Sequence, residues 1–452
     1  MPYASRFVRF AVRSLGLLAT LAAPVPAQED LDALITRELA ALRASYEHLH
    51  RHPELSYQEK QTAAYLAGEL RRLGFEVTEN VGDYGVAGRT SYGLVAVLRN
   101  GAGPTVLLRT DLDALPVEEK TGLPYASRVR ALLDGSEVPV MHACGHDMHM
   151  TAWLGAARLL VRLRERWQGT LVLIGQPAEE RGAGARAMLR DGLYTRFPRP
   201  DAVVALHVSP DIPAGKIGYR EGYALASADS VDITVYGAGG HGAYPHRTKD
   251  PIVIASQLVL ALQTIVSREI APLEPAVVTV GSFHAGTKHN IIPDQAHLQL
   301  TVRAYKPEVR EHILEAIRRI ARGVALAAGL PEDRLPRVVH SEEEATPSTY
   351  NDPALTERLA GALKQALDEA NVVRTEPVMG AEDFSRYGLE EPRVPICMLW
   401  LGAADLRRLE AARAAGTTLP GLHSAEFAPV VEPAIQTGVK ALTTAALELF
   451  KK

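Results

Sequence analysis

Residues 105–113 read Thr105-Val106-Leu107-Leu108-Arg109-Thr110-Asp111-Leu112-Asp113. A short apolar run that opens onto two carboxylates reads as a buried strand with a ligand edge at its carboxyl end. Residues 94–98, 171–174, 203–206 and 395–400 form similar runs. Two of these also lead to chemistry: 171–174 to Glu179-Glu180, and 203–206 to His207, taken as the strand's end. Apolar strands separated by helix-like stretches predict α/β architecture, a parallel or mixed sheet covered by helices on both faces.

Helical spacing supports this reading. Ala63, Leu66, Ala67, Leu70 and Leu73 form one stripe, stopped by Gly74, and Trp153, Ala156, Ala157, Leu160 and Val161 form another. Ser56-Tyr57-Gln58-Glu59 has the pattern of a capping box for the first helix. Between 224 and 345 the order changes to strand 231–236, helix 251–267, strands 276–283 and 295–304, helix 308–328 and strand 337–340. That order is the split-βαβ, ferredoxin-like sandwich, inserted into the larger domain. The expected division is an export signal over 1–27, a catalytic domain over 28–223 and 346–452, and the insertion over 224–345. Residues 403–418 read as a helix with a solvated basic face.

Composition narrows the function. Of 452 residues, 47% are hydrophobic and 23% charged, which fits an ordinary globular protein. A net charge of −4 excludes a general nucleic-acid binder, and two cysteines provide no disulfide framework. Arg6, Arg9 and Arg13 precede an apolar stretch too short to span a bilayer, which ends at Val25-Pro26-Ala27. This predicts a secretory signal and a periplasmic or secreted protein. Cleavage after Ala27 leaves 425 residues and, with three arginines and no acid removed, takes the net charge to −7. No other segment reads as a membrane span, so no membrane association is expected after cleavage.

The densest chemistry is Met141-His142-Ala143-Cys144-Gly145-His146-Asp147-Met148-His149. One thiol and three imidazoles so close together indicate a transition metal, and the thiolate favours zinc or a similar borderline-soft ion. Two other readings compete: Cys144 as a nucleophile beside a histidine, or Cys144 paired with Cys397. The disulfide is disfavoured because Cys397 sits inside an apolar run, and a nucleophile needs no paired acids at neighbouring strand ends. Glu179-Glu180 supplies those acids: one can hold metal while the other serves as general base. Gly237-Ala238-Gly239-Gly240-His241-Gly242 matches a dinucleotide fingerprint, but Tyr244-Pro245-His246 follows where a helix is required. Spacing alone assigns nothing to His423.

Taken together, the motifs resemble the amidohydrolase branch of the cocatalytic metallopeptidases, which includes hippurate hydrolases, N-acyl-amino-acid amidohydrolases and auxin-conjugate hydrolases. They are His52-Pro-Glu-Leu-Ser56, Asp111-Leu-Asp-Ala-Leu-Pro116, Met141 to Asp147, Gln176-Pro-Ala-Glu-Glu180, Gly239-Gly-His241, Asn290-Ile-Ile-Pro293, Ala381-Glu-Asp-Phe384 and Leu422-His423. The resemblance implies a zinc-aminopeptidase-like sheet with an inserted lid and dimerisation domain. It implies two divalent ions, zinc or manganese with cobalt or nickel as alternatives, held by Cys144, His146, Glu180, His207 and His423. It further implies Glu179 as general acid/base, Asp113 as the residue that orients a ligand, and His241 as oxyanion donor from its own or a partner subunit. Asn290 and Arg303 then line the substrate pocket. Two features depart from the family pattern: Ala381 stands where relatives often carry Ser, and 125–138 is longer than in plant relatives.

The expected activity is hydrolysis of N-acyl amino acids or similar small amides, with homodimerisation through the insertion. The rivals are a metallo-dipeptidase or aminoacylase with the same site, an exported metal- or solute-binding protein without catalysis, and a thiol hydrolase using Cys144.

Overall fold

The computed structural model describes residues 1–4, 30–342 and 345–451. Beyond residue 4, the export signal read over 1–27 lies outside the described residues. The principal sheet has eight strands in the spatial order Glu76–Glu79, Leu94–Asn100, Gly169–Gln176, Thr105–Asp111, Ala202–Pro213, Ile396–Ala404, Ile217–Tyr219 and Val372–Arg374. The four central strands run parallel and the flanks are mixed. Thr105–Asp111 has a later strand on each side, so its carboxyl end is the topological switch point, where open sheets place ligands.

Both faces are covered. Helices Leu31–Arg51, His146–Arg162, Pro353–Leu367 and Val431–Phe450 pack on one, with Leu42, Trp153 and Val439 fully buried. The short helix Gly184–Arg190 and the turn Asp383–Gly388 pack on the other, around Met188 and Phe384. The sheet therefore lies between two apolar layers, as its apolar strands require.

A second sheet runs Ala276–Ala285, Gln295–Ala304, Asp229–Tyr236, Arg337–His340, all antiparallel. Burial alternates along Asp229–Tyr236, and the inward residues meet helices Pro251–Thr264 and Pro307–Ala327 in a separate core. The order is that of a ferredoxin-like sandwich.

Three details differ from expectation. The capping box does not form: Ser56 Oγ donates to Asp113 Oδ2 at 2.6 Å, and Glu59 Oε1 accepts from the Tyr57 and Ala178 amides. Helix Lys60–Arg72 is capped instead by Glu54, whose oxygens accept from Gln61 and Thr62 N–H at 3.1 and 2.8 Å. The strand expected to end at His207 continues to Pro213, because it stays paired to Ile396–Ala404 beyond that point. Helix Pro251–Glu269, 19 residues with mean hydropathy 1.4, is long and apolar enough to cross a membrane, contrary to the expectation of no such segment. Its inner face, with Ile254, Leu258 and Leu262, fills the small core, while Val253 and Leu260 are exposed.

Glu54→Ala is expected to cost about 1 kcal/mol of stability in urea denaturation and to speed hydrogen exchange at the start of helix Lys60–Arg72. Ser56→Ala should leave that exchange unchanged. The reverse pattern would restore Ser56 as the cap.

Candidate metal centre

The cluster forms where three strand ends and one helix N-terminus meet. Gly145 adopts φ +79, and a Cβ there would lie 2.6 Å from Val208 Cγ2. Only glycine fits this turn. It places Cys144 just before the helix and His146 at its first position.

Two imidazoles, His146 and His207, are aimed by their second nitrogen. His146 Nδ1 donates to the Asp113 carbonyl at 2.7 Å, leaving Nε2 buried and without a hydrogen-bond partner. His207 Nδ1 donates to the Val208 carbonyl at 2.8 Å, and its Nε2 lies 3.6 Å from Cys144 Sγ. A ring nitrogen freed in this way is the usual arrangement of a metal-binding histidine. Glu180 Oε1 is likewise buried without a partner, while its Oε2 lies 3.5 Å from His423 Nε2. Potential ligand atoms of Cys144, His146 and His207 lie within 4.8 Å of one another, as do those of Cys144, Glu180 and His423. The two groups share the sulfur. Sulfur, imidazole and carboxylate donors in overlapping sets suit a pair of borderline-soft divalent ions.

Glu179 stands apart. Its Oε2 is 3.8 Å from His146 Nε2, and its other side faces Glu382 and Asp383. Burial, with Glu382 and Glu180 nearby, pushes its carboxyl well above the usual range. Burial also raises Glu180, to about 7, and drives the Cys144 thiol upward, with Glu180 adding to the effect. So many acidic groups in one buried place create a strong demand for cations. An unassisted thiol nucleophile requires the opposite shift, a lowered pKa. Both cysteines are free and buried, and Cys397 Sγ meets Thr356 Oγ1 rather than Cys144.

Asp113 organises the acids. Its Oδ1 accepts from Glu179 N–H at 3.1 Å and its Oδ2 from Glu180 N–H at 3.0 Å. His149, part of the dense motif, has both nitrogens engaged: Nδ1 donates to Asp111 Oδ1 at 2.8 Å, and Nε2 accepts from Val208 N–H at 2.9 Å. It supports the centre rather than lining it. His142 is buried with neither nitrogen partnered, and burial lowers it to about 4.

Three expected residues lie elsewhere. His241 lies in a two-stranded ladder on the small domain, paired with Ile291, and Asn290 adjoins it; both are exposed, with Gly242 N–H bonded to the Asn290 carbonyl. Arg303 is half-buried and points Nη1 to the Met379 carbonyl at 3.5 Å. Among the described residues, no hydrogen bond or ion pair joins these three to the cluster. Sequence reading missed Arg109, whose buried guanidinium reaches Gln176 Oε1 at 3.0 Å and Asp111 Oδ2 and Glu382 Oε1 at 2.7 Å each. Its one signal was a charge inside an otherwise apolar strand.

Residues 107–416 match the model of peptidase family M20/M25/M40. The chain is 37% identical over 407 residues to thermostable carboxypeptidase 1 of Saccharolobus solfataricus, covering 89% of this chain and 94% of the relative. It is 38% identical to the hippurate hydrolase of Campylobacter jejuni, over 75% of this chain and 82% of that enzyme. The solved structure of a Bacillus subtilis dinuclear metal binding peptidase from the M20 family superposes with a TM-score of 0.72 at 30% identity, covering 92% of this chain and 99% of the other.

Beneath the cluster, His50 is buried between Asp147 Oδ2 at 2.6 Å and Glu119 Oε1 at 3.1 Å. Burial alone would lower its pKa, but the two hydrogen bonds raise it to about 10. A raised folded pKa gives stability that is full below the unfolded value, about 6.5, and lost as pH rises through about 10. His50→Gln should therefore be most destabilised relative to the parent at the acidic end of that interval, with the gap closing toward its alkaline end. A gap that stays constant in chemical denaturation would refute the charged state.

Proposed function

The chain belongs to peptidase family M20/M25/M40, and from that premise we propose that it is a metal-dependent amidohydrolase cleaving N-acyl amino acids or similar small amides. Cys144, His146, Glu180, His207 and His423 would hold two divalent ions, zinc or manganese. Such ions, when bound, supply Lewis acidity that acidifies water and polarises a carbonyl.

The observation that carries the reading is Glu179. It borders the ligand cluster, yet among the described residues no hydrogen-bond donor holds its carboxylate. A site that only stores metal has no use for an unclaimed base beside its donors. Glu179 takes a proton from the attacking water and returns it to the departing nitrogen. Asp113 keeps that carboxylate in place through the Glu179 and Glu180 amides. His241 Nδ1 accepts from Ala243 N–H at 3.0 Å, so its exposed Nε2 carries the hydrogen and can donate to an oxyanion when the small domain approaches. Asn290 and Arg303, on the same domain, would contact the substrate, Arg303 through a carboxylate.

Export and assembly complete the reading. The basic and apolar segment ending at Val25-Pro26-Ala27 supports secretion or a periplasmic location. Exposed Val253, Leu260 and Val266 on helix Pro251–Glu269 support docking of a second copy.

Glu179→Gln is expected to keep its metal by elemental analysis while losing about 10²–10⁴-fold in turnover. Parent enzyme should hydrolyse N-acetyl and N-benzoyl amino acids in preference to the matching free dipeptides, and a chelator should abolish this. Near-normal turnover of the variant would remove Glu179 as base, and preference for dipeptides would favour the dipeptidase. Native mass spectrometry of the exported protein should show a chain starting at Gln28 and a dimer. A retained leader would defeat the export assignment, and a monomer the docking surface.

A further inference from the structure

A cavity of about 1090 Å³ lies away from the metal centre, where the two domains join. Both chain crossings between the domains border it, Ser227 on the outgoing one and Ala345, Pro347 and Ser348 on the return. The crossings are tied by reciprocal bonds, Ala228 N–H to the Thr346 carbonyl at 2.9 Å and Thr346 N–H to the Ala228 carbonyl at 2.8 Å.

Among the described residues, some cations bordering this cavity have a carboxylate partner and two do not, although Glu342 and Asp352 also border it. Arg310 is neutralised by Asp229 and Lys306 by Glu274. Arg186 and Arg386 are not. Both donate to a shared neutral acceptor, the Ala345 carbonyl, Arg186 at 3.2 Å, and Arg186 also donates to the Glu342 carbonyl at 2.6 Å. Among the described residues neither has a carboxylate within 4.0 Å. Arg386 Nε is buried without a partner. Burial, and then the charge of Arg186, lower the Arg386 pKa to about 10, with Asp383 and Glu342 opposing but not offsetting them. Ser227 and Ser385, each 2% exposed, also carry buried hydroxyls without a partner. Two guanidinium groups and two unsatisfied hydroxyls are a donor set for an anion. Tyr223, Tyr305, Tyr350, Leu389, Val394 and Ile396 add flat and apolar wall beside the charged groups.

We propose that this interdomain cavity is a second binding site, for a small organic carboxylate with a flat apolar body, held by Arg186 and Arg386 with Ser227 and Ser385 as flanking donors. Occupancy would reach the metal centre through two short elements. Arg386 lies on the turn Asp383–Gly388, and Asp383 at its start is within 4.8 Å of Glu179. Arg186 lies on Gly184–Arg190, directly after Glu179 and Glu180. Asp383 Oδ2 joins the two by accepting from Ala185 N–H at 2.9 Å. The bound anion therefore modulates hydrolysis, and this half alone rests on the amidohydrolase reading.

The test is calorimetric titration of the metal-loaded protein with benzoate and, separately, with inorganic sulfate. Benzoate should bind a site that the Arg186→Met/Arg386→Met double variant weakens at least about tenfold, with sulfate binding far more weakly than benzoate. Unchanged benzoate affinity in the variant overturns the site. Sulfate binding as tightly as benzoate overturns the organic class. Should the double variant fail to fold, Ser227→Val, which leaves both guanidinium groups in place, must weaken benzoate in the same way or the site is lost. In steady-state assays with an N-acetyl substrate, benzoate should change kcat. A purely competitive pattern would overturn the coupling while leaving the binding result to stand or fall alone.

Discussion

The metal centre depends on one buried carboxylate. Asp113 is fully buried and accepts from the Ser56 hydroxyl and from the amides of Glu179 and Glu180, while its own carbonyl aims His146. Burial opposes its charge, but the neighbouring His146 and the donated hydrogen bonds outweigh that and keep its pKa below the usual range. Three consecutive amides, 178 to 180, thus end on two buried acids, since Ala178 N–H donates to Glu59 at 2.7 Å. This also explains the backbone of Ala178, a non-glycine residue at φ +49. Such a conformation costs about 1–3 kcal/mol and persists only where its surroundings over-determine it. Here it turns the chain so that both glutamates face the cluster.

A second constraint is charge. Asp111, Glu382 and Asp383 are all buried within reach of Glu179 or His146, and Arg109 is the chain's own cation among them. A buried ion costs several kcal/mol unless its partners are well placed. Arg109 meets that cost with four acceptors, Gln176, Asp111, Glu382 and Asp383, and so joins strand Thr105–Asp111 to the turn Asp383–Gly388, more than 270 residues later. Asp111 extends the chain of contacts through His149 to the Val208 amide, next to His207. The ligands are held by a connected polar frame as well as by the sheet.

What was legible in the sequence followed its physics. Central strands buried on both faces leave uninterrupted apolar runs, and the inserted sandwich shows in its order of strand-like and helix-like stretches, so both could be read directly. Caps made by distant groups could not. Glu54 lies six residues before the helix it caps, and a local pattern pointed to Ser56, which a tertiary partner had claimed. The helix read over 403–418 is confined to Leu406–Ala414, because Ala403 and Ala404 continue a strand and Asp405 caps the helix. In the dense motif, spacing could not separate His146 from His149, since what divides them is the partner of each second nitrogen. His423 is the extreme case: an isolated loop residue at φ +65, placed only by its amide bond to the Ala143 carbonyl at 2.8 Å. Its place near Glu180 is a product of the whole fold, and only family resemblance reached it.

The distribution of parts between the two domains has a consequence of its own. Every member of the donor cluster, and every group that orients it, belongs to the large domain, although they span residues 50 to 423. The exposed His241 and Asn290 sit on the small domain, joined to the rest by two paired crossing strands. Capturing metal therefore requires no domain motion, because the orienting bonds already exist. For His241 and Asn290 to meet a substrate at the cluster, as proposed above, the small domain would have to approach it. The donor cluster is thus confined to one domain, and the interdomain cavity lies beside the segments that connect the two. On the proposal made above, a ligand at that junction would act on turnover through the turn beside Glu179, while the hydrogen bonds of Asp113 and Arg109 that orient the donor groups stay in place.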